Sequence, residues 1–251
     1  MKLVYQHNYS ELEPRMLSFH NRQQKAQKIV AIISNFVNHA KKQRPKDLIC
    51  LEVGCAAGMM TNIFGNNFKA VVGVDIDRQA IAIAKRKNRK SIVSFKISDA
   101  LKLPFKKNCF DLVICNNVYE HVPDPNLMMA EIWRVLRDNG FCYFAGPNKY
   151  AFLEPHYSLP CLSWFPKQFG SLYLKMTGKG DYYYETLLSQ KQLRKLASKF
   201  KITDYTVEVL KKPLQFHASH HLQKPFSYLP RSFISLALPF LPSFFWILTK
   251  K

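Results

Sequence analysis

Residues 48–58 constrain the fold more than any other stretch, because an apolar run there ends on an acid and then breaks into a turn of small residues. The apolar run is typical of a buried strand, and Glu52 lies near its end. Gly54 and Gly58 allow a tight turn, after which a helix N-terminus would point free N–H groups at an anionic group. We therefore predict a strand, turn and helix that hold a nucleotide at one edge of a sheet. The alternative is that the two glycines only relieve crowding at the turn.

The next two predicted strands also end next to an acid. Residues 70–75 form an apolar strand that ends on Asp75, at the distance expected of one βαβ unit. Residues 93–97 form a third strand, followed by Asp99 and Ala100. Because the carboxyl ends of parallel strands meet at one edge of a sheet, these acids are predicted to face the same ligand.

The series continues with a fourth and a fifth strand. Residues 110–122 contain a continuous apolar strand with a polar exit at Asn116, followed by the sequence Glu-His-Val at 120–122. Apolar residues then recur at helical spacing over 128–136. Gly140 is predicted to end that helix before a strand at 141–145.

This ordered series resembles the class I S-adenosylmethionine-dependent methyltransferases, in particular those of type 11. Their motif Glu/Asp-x-Gly-x-Gly-x-Gly is matched by Glu52, Gly54 and Gly58, with Ala56 in place of the middle glycine. The dinucleotide fingerprint Gly-x-Gly-x-x-Gly fits less well, because Met59 stands where its third glycine would be. The resemblance implies S-adenosylmethionine as the cofactor. It also implies an α/β fold, with a Rossmann-like, seven-stranded, mostly parallel sheet, helices on both faces, an antiparallel last strand and a lid insertion after strand 5.

The resemblance assigns cofactor contacts to the strand ends. Asp75 is expected to bind the ribose hydroxyls, because Asp77 is the better cap for the next helix and leaves Asp75 free. Asp99 and Ala100 are expected to contact adenine, although Asp99 could also be a plain turn aspartate. The expected cofactor-binding residues are Glu52, Gly54, Cys55, Ala56, Gly58, Asp75, Ile76, Asp99, Ala100 and Asn116.

Three residues are candidates for catalysis. His121 follows strand 4 and is the candidate general base, since the ordinary histidine pKa lies near neutrality. The alternative is that His121 only orients the strand-to-helix connection. His156 and Tyr157 form a second candidate pair on the insertion after strand 5. No metal-ligand spacing is recognised, and the histidines His217, His220 and His221 are interpreted as an incidental cluster.

The 251 residues are interpreted as one methyltransferase domain in a reducing cytoplasm. The 47% hydrophobic and 22% charged content is ordinary for a globular enzyme. The six cysteines contain no Cys-x-x-Cys pair, and five of them are predicted to be small buried side chains in or beside strands: Cys50, Cys55, Cys109, Cys115 and Cys142. No apolar signal region begins the chain, so export is not expected.

Residues 1–46 are predicted to form a helical cover over the core at 47–148. The positions Ile29, Ile32, Ile33, Phe36 and Val37 recur at helical spacing and should be buried. The lysines Lys25, Lys28, Lys41 and Lys42 are placed outside. The resemblance implies that such a helix closes over the cofactor, with Tyr5, Tyr9 or Arg22 as candidate contacts.

Residues 149–196 are rich in aromatic residues and proline and are predicted to be a lid that recognises the acceptor. The alternative is a satellite core under a long loop. Residues 197–251 should complete the domain, with a helix at 190–200 and a sixth strand at 202–210, near the edge of the sheet and antiparallel to its neighbour.

The carboxyl-terminal stretch 232–249 contains no charged residue, but Pro239 and Pro242 argue against a membrane-spanning helix. We predict a short helix or hairpin beside the lid at 233–241 and the antiparallel seventh strand at 244–248. An exposed apolar face at 233–240, flanked by Arg231 and Lys250, could alternatively lie on a membrane surface.

The net charge of +20 leaves the partner open. Dispersed lysines can be a solvated surface, a contact with anionic membrane, or an RNA-binding face. The predicted function is methyl transfer to O, N or C of a small-molecule or lipid acceptor. The alternatives are an RNA methyltransferase and a non-catalytic protein that binds S-adenosylmethionine.

Overall fold

The computed structural model describes residues 19–41, 43–218 and 228–251. The predictions for Tyr5, Tyr9, Lys42, His220 and His221 lie outside the described residues. Seven strands are present in the described part: β1 (Ile49–Val53), β2 (Ala70–Asp75), β3 (Val93–Ile97), β4 (Phe110–Asn116), β5 (Leu136–Pro147), β6 (Phe200–Asp204) and β7 (Ser243–Lys250). Eight α-helices are described: α1 (Phe19–Phe36), α2 (Met59–Phe64), α3 (Arg78–Lys87), α4 (Pro125–Val135), α5 (Lys167–Met176), α6 (Gln190–Leu196), α7 (Thr206–Lys211) and α8 (Arg231–Ala237).

The strands form one sheet in the order β3-β2-β1-β4-β5-β7-β6. Strands β1 to β5 pair in parallel, and β7 runs antiparallel to both β5 and β6. The predicted seven-stranded, mostly parallel sheet with an antiparallel last strand is therefore confirmed. The predicted position of β6 next to the edge is also close to the observed one, since β6 is the edge strand.

Successive side chains of a strand point to opposite faces of the sheet, and a buried core lies on each face. Cys50 of β1 packs in a core with α1, α2 and α3, whereas its neighbour Leu51 packs in a second core with α4 and α6. The five apolar positions predicted on α1 are all buried in the first core. Helices thus lie on both faces, as predicted.

Two aspartates set the beginnings of helices. The Asp77 side chain accepts hydrogen bonds from the backbone N–H groups of Gln79 and Ala80 at the start of α3, which confirms its predicted role as a cap. Asp124 caps α4 in the same way. Pro125 follows at the first helical position, where a backbone N–H would have no partner within the helix.

The predicted sixth strand is too long. β6 ends at Asp204, and residues 206–211 form α7 instead. The Asp204 side chain accepts a hydrogen bond from Thr206 N at 2.9 Å, which favours a helical turn. Val209 and Leu210 are then buried at helical spacing from Thr206, a pattern that apolar alternation imitates over so short a stretch.

Two further boundaries differ from prediction. The helix predicted at 190–200 ends at Leu196. The helix before β5 ends at Val135, and Gly140, which was predicted to end it, lies inside β5. β4 ends at Asn116 as predicted, where Asn117 adopts a left-handed conformation with φ 57° and turns the chain.

The insertion after β5 contains its own small core. Leu159, Leu162, Leu174 and Tyr183 are buried together around α5, so the satellite core that was considered as the alternative is present. Exposed aromatic side chains surround it, which are Phe152, Trp164, Phe165, Phe169, Tyr182 and Tyr184. A lid role for this insertion remains a prediction.

The predicted short helix near the carboxyl end is α8, which packs on α7 through buried Ile234 and Leu241. The expected apolar face is therefore divided, and only Phe233, Leu236 and Phe240 of its members are exposed. Lys250 does not flank that face, since its ammonium lies 4.3 Å from the centre of the Trp133 ring. No helix among the described residues is both long and apolar enough to cross a membrane.

Candidate active site

A cavity of about 480 Å³ opens where the parallel strands β1, β2 and β4 end. Their register explains the convergence, because Val53 pairs with Val74 on one side and with Cys115 on the other. Nine expected site residues line the cavity: Gly54, Ala56, Asp75, Ile76, Asp99, Ala100, Asn116, His121 and His156. Glu52, Cys55, Gly58 and Tyr157 are not among the lining residues.

The glycine turn after β1 is shaped by close contacts. Gly54 has φ +74°, and a Cβ added there would lie 2.6 Å from Val118 Cγ2. Gly58 has the same φ, and a Cβ added there would lie 2.5 Å from the Phe95 ring. A residue with a side chain would be strained and would clash at both positions, so the turn needs glycine to pack against Val118 and Phe95.

Ala56 connects this turn to β2. It adopts φ +46°, and its N–H donates a hydrogen bond of 2.7 Å to Asp75 Oδ2. Asp77 N donates to the other oxygen, Oδ1, at 2.9 Å. Asp75 thus already accepts two backbone hydrogen bonds, but a carboxylate accepts up to about four and can still receive a ribose hydroxyl, so the ribose contact stays a prediction. Burial raises the pKa of Asp75.

Glu52 lies beneath the cavity floor. It is buried, and its Oε2 accepts a hydrogen bond of 2.6 Å from Thr61 Oγ1. Burial raises the Glu52 pKa to about 7, while the Thr61 hydrogen bond and the Arg22 charge act in the opposite direction. No described residue hydrogen-bonds its buried Oε1. An ammonium or a water that reached this oxygen would satisfy it.

Asp99 and Cys55, two further expected cofactor residues, also make contacts within the protein. Asp99 Oδ1 accepts a hydrogen bond from Leu101 N at 2.8 Å, as a turn aspartate does, and the residue also lines the cavity. The turn alternative for Asp99 is thus present, and its contact with adenine stays a prediction. Cys55 is buried, and its thiol points to its neighbour's carbonyl, Ala56 O, at 3.7 Å. Burial raises the Cys55 pKa well above its ordinary value, so the thiol stays protonated.

Two histidines face each other at the other end of the cavity. The His121 and His156 rings are 5.3 Å apart and nearly perpendicular. Burial, followed by the charge of His156, lowers the His121 pKa to about 3. Burial also opposes charging of His156, but the Glu154 hydrogen bond and the nearby carboxylates raise its pKa to about 9. His121 is therefore neutral and His156 is an imidazolium at neutral pH.

Glu154 fixes the loop that carries His156. Its Oε2 accepts hydrogen bonds of 2.8 Å from His156 N and Tyr157 N, and its Oε1 lies 2.7 Å from His156 Nδ1. The Tyr157 ring instead packs edge-on against Tyr183 in the satellite core, 5.8 Å away. The insertion thus brings His156 into the cavity wall, whereas Tyr157 packs against the satellite core.

Glu120 was overlooked in the sequence, although it belongs to the Glu-His-Val segment. Its Oε1 lies 3.9 Å from His121 Nε2 and 4.0 Å from His156 Nε2. Burial raises its pKa to about 7. The donor atoms of these three residues lie within 4.8 Å of one another, a spacing that could hold a divalent cation. Sequence spacing gave no sign of this group, because 35 residues separate His121 from His156.

Cations of α1 line the roof of the cavity. Arg22, Lys25 and Lys28 all border it, together with His217 from the segment after α7. The prediction that both lysines face outward is therefore wrong for Lys28, which is partly buried, whereas Lys25 is exposed as predicted although it also borders the cavity. Their spacing of three residues along a helix was the signal that could have placed them on one side.

Comparisons with known proteins find methyltransferases among the relatives of this chain. The family model described as "Methyltransferase domain" matches residues 51–144. Ubiquinone biosynthesis O-methyltransferase from Rhizobium etli is 30% identical over 180 residues, which are 68% of each chain. The enzyme of that name from Pelagibacter ubique is 28% identical over 120 residues, which span 47% of this chain and 50% of the relative.

Solved structures share the fold at low sequence identity. The plantazolicin methyltransferase BpumL, solved with a triazolic desmethylPZN analog and SAH, superposes with a TM-score of 0.61 at 16% identity, over 96% of this chain and 89% of the other. The PH0226 protein from Pyrococcus horikoshii OT3 gives a TM-score of 0.58 at 19% identity, over 88% of both chains.

The strand order, the acid-terminated strands around a glycine turn and these sequence relatives together define the class. The chain belongs to the class I S-adenosylmethionine-dependent methyltransferases. Its cofactor is accordingly S-adenosylmethionine, and the buried acceptor oxygen of Glu52 and the acids Asp75 and Asp99 in the cavity wall fit that ligand.

Proposed function

We propose that this enzyme methylates a hydroxyl oxygen on a small aromatic acceptor related to quinones. The proposal is supported most directly by one observation: the neutral His121 and the charged His156 face each other at the cavity end beyond Asn116. The names of the sequence relatives point to O-methylation in ubiquinone biosynthesis. A hydroxyl nucleophile must lose a proton, and this pair offers a proton acceptor next to a positive charge.

The cofactor would lie along the ends of β2, β1 and β4. Asp75 would accept from the ribose, Asp99 and Ala100 would border the adenine, and Asn116 would lie near the methionine group. Glu52 would act from below through its unpartnered oxygen. S-adenosylmethionine, when bound, supplies an activated methyl group on its sulfonium.

His121 would take the proton of the acceptor hydroxyl. Its pKa of about 3 keeps the ring neutral but makes it a weak base in the free protein, unlike the ordinary histidine expected from the sequence. Proton transfer would therefore depend on the buried Glu120 carboxyl group, 3.9 Å from Nε2, to stabilise the charged ring. The His156 imidazolium would stabilise the negative charge that develops on the acceptor oxygen. Holding the hydroxyl in line with the methyl group supplies the remainder, up to roughly 7–11 kcal/mol.

His121→Gln tests this assignment. We expect methyl transfer to catechol to fall by about 100-fold or more in kcat, because a general base typically contributes about 10²–10⁴-fold. The affinity for S-adenosylhomocysteine should change less than about twofold, a difference of roughly 0.4 kcal/mol. Unchanged kcat would exclude His121 as the base. The assay is run with Mg²⁺ and with EDTA, so that a contribution of a cation at Glu120, His121 and His156 is measured separately.

We also propose that the enzyme meets its acceptor at an anionic membrane surface. Phe169, Leu172 and Met176 are exposed at helical spacing on α5. On the segment that begins with α8, Phe233 and Leu236 are exposed in the same way. Such exposed apolar stripes on a chain of net charge +20 are typical of interfacial binding.

Vesicle co-sedimentation tests the membrane contact. We expect binding to phosphatidylglycerol vesicles but not to phosphatidylcholine vesicles, and loss of binding in the double variant Phe169→Ser, Met176→Ser. The matched control is Leu127→Ser, which also removes an exposed apolar side chain, on α4. Equal binding by all three proteins would contradict the proposal. Displacement from vesicles by RNA would instead favour the RNA alternative.

A further inference from the structure

Lys28 is a partly buried cation in the cavity wall. Its Nζ lies 5.1 Å from the centre of the Phe245 ring. Within the described parts of the chain, no hydrogen bond or ion pair to this Nζ is present, and the neighbouring charge that acts on it is another cation, Lys25. Burial, with a contribution from Lys25, lowers the Lys28 pKa to about 8. A cation removed from water without an anion is unfavourable, so this position favours an anionic ligand group.

The sheet register locates Lys28 relative to the reaction. Asn116 of β4 pairs with Ala145 of β5, and Ala145 pairs with Phe245 of β7. Two strand spacings therefore separate Asn116 from Phe245, about 10 Å. β2 and Asp75 lie in the opposite direction along the sheet. Lys28, beside Phe245, is thus on the side of Asn116 away from Asp75, the expected ribose contact.

The remaining walls of this end disfavour an anion. The loop around the two histidines buries three carboxyl groups, those of Glu120, Glu154 and Glu185, around one cation, His156, which Glu154 already pairs. A full anionic substituent in addition to the reacting oxygen is therefore disfavoured there. The cations Arg22, Lys25 and Lys28 of α1 also border the cavity. A negatively charged substituent would therefore be directed toward α1.

We propose that Lys28 binds an anionic oxygen group, a carboxylate, carried by the methyl acceptor. This inference rests on the proposed function, since it names a substituent of that acceptor. The cofactor's own carboxylate offers the same chemistry, but Arg22 is placed to meet it. Arg22 lies six residues before Lys28 on α1, about 9 Å along the helix axis, and its charge acts on Glu52 at the end of β1.

The test compares two acceptors that differ only in charge, 3,4-dihydroxybenzoate and 3,4-dihydroxybenzamide. We expect wild-type kcat/KM to be at least about tenfold higher for the benzoate, because a charge-assisted contact of about 1.4 kcal/mol gives that ratio. Lys28→Met should abolish the preference and Lys28→Arg should retain it. Lys87→Met, which removes an exposed lysine of α3, is the charge-matched control and should leave the preference unchanged.

Binding without turnover separates this proposal from the proposed function. Calorimetry of the complex with S-adenosylhomocysteine measures benzoate binding even if neither compound is methylated. Benzoate binding that Lys28→Met weakens by about tenfold or more supports the subsite. An equal preference in wild type and Lys28→Met overturns it. A loss of S-adenosylhomocysteine affinity in Lys28→Met with benzoate binding unchanged also overturns it, because Lys28 would then hold the cofactor.

Discussion

His156 Nδ1 lies 2.7 Å from Glu154 Oε1, and the two residues belong to one loop whose other Glu154 oxygen holds two backbone N–H groups. Glu154 is fully buried, and His156 borders the cavity. The loop therefore carries an internal ion pair that sets both the position and the charge of an active-site histidine.

The ion pair predicts how stability depends on pH. The His156 pKa is about 9 in the folded protein, above the ordinary 6.5. Between these values the folded state holds more protons, so the free energy of unfolding should fall as pH rises from 6.5 to 9. Glu154→Gln should remove roughly 2–3 kcal/mol of stability at pH 6 and much less at pH 9.5.

Urea unfolding at the two pH values checks this prediction, and a nuclear magnetic resonance titration of His156 gives its pKa directly. Asp138→Asn is the control, because the Asp138 side chain is exposed whereas the Glu154 side chain is buried. A Glu154→Gln deficit that is the same at pH 6 and pH 9.5 would show that Glu154 stabilises the loop through its backbone contacts alone.

Substitutions at Gly54 and Ala56 in the glycine turn should change the stability of the protein in opposite directions. Ala56 adopts φ +46°, so Ala56→Gly should stabilise the protein by about 0.5–1 kcal/mol. Gly54→Ala should destabilise it by more than about 1–2 kcal/mol, because a left-handed backbone and contact with Val118 act together. Denaturant midpoints measure both effects. An Ala56→Gly variant that is less stable than wild type would refute the assigned strain.

Removal of the Lys28 charge should stabilise the folded protein. Its folded pKa of about 8 is below the ordinary 10.5, so the unfolded chain binds more protons between these values. The destabilisation of the folded state by the Lys28 charge is therefore fully present below pH 8 and declines as pH rises toward 10.5. Lys28→Met should raise the free energy of unfolding by about 1–2 kcal/mol at pH 7, after allowance for partial exposure, and by less at pH 10. A gain that is independent of pH would mean that packing of the methionine causes it.

Much of the core could be predicted because its signals are local. Each of the first three strands ends next to an acid or a glycine turn, and β3 has the predicted bounds 93–97. The sixth strand was predicted too long because Thr206 to Leu210 fits both alternation and helical spacing, and the Asp204 hydrogen bond to Thr206 decides between them.

The acceptor end of the site was harder to predict because it depends on contacts distant in sequence. Glu120 meets His156 only after the insertion folds back, which Thr186 N helps to fix by donating a hydrogen bond to Glu120 O at 3.1 Å. Lys28 resembled a solvent-facing lysine, because nothing on α1 shows that the end of β7 and Phe245 pack beside it. Tyr157 was assigned with His156, but successive residues of this loop point to different surroundings.

Calorimetric titration with S-adenosylmethionine tests the central claim, that the cavity at the ends of β1, β2 and β4 is the cofactor site. We expect wild type to bind with micromolar affinity and Asp75→Ala to bind at least about tenfold more weakly, since a hydrogen bond to a charged group contributes roughly 1.5–3 kcal/mol. Asp138→Ala should bind like wild type. Absence of binding to folded wild-type protein, or equal affinity in a folded Asp75→Ala variant, would contradict the account.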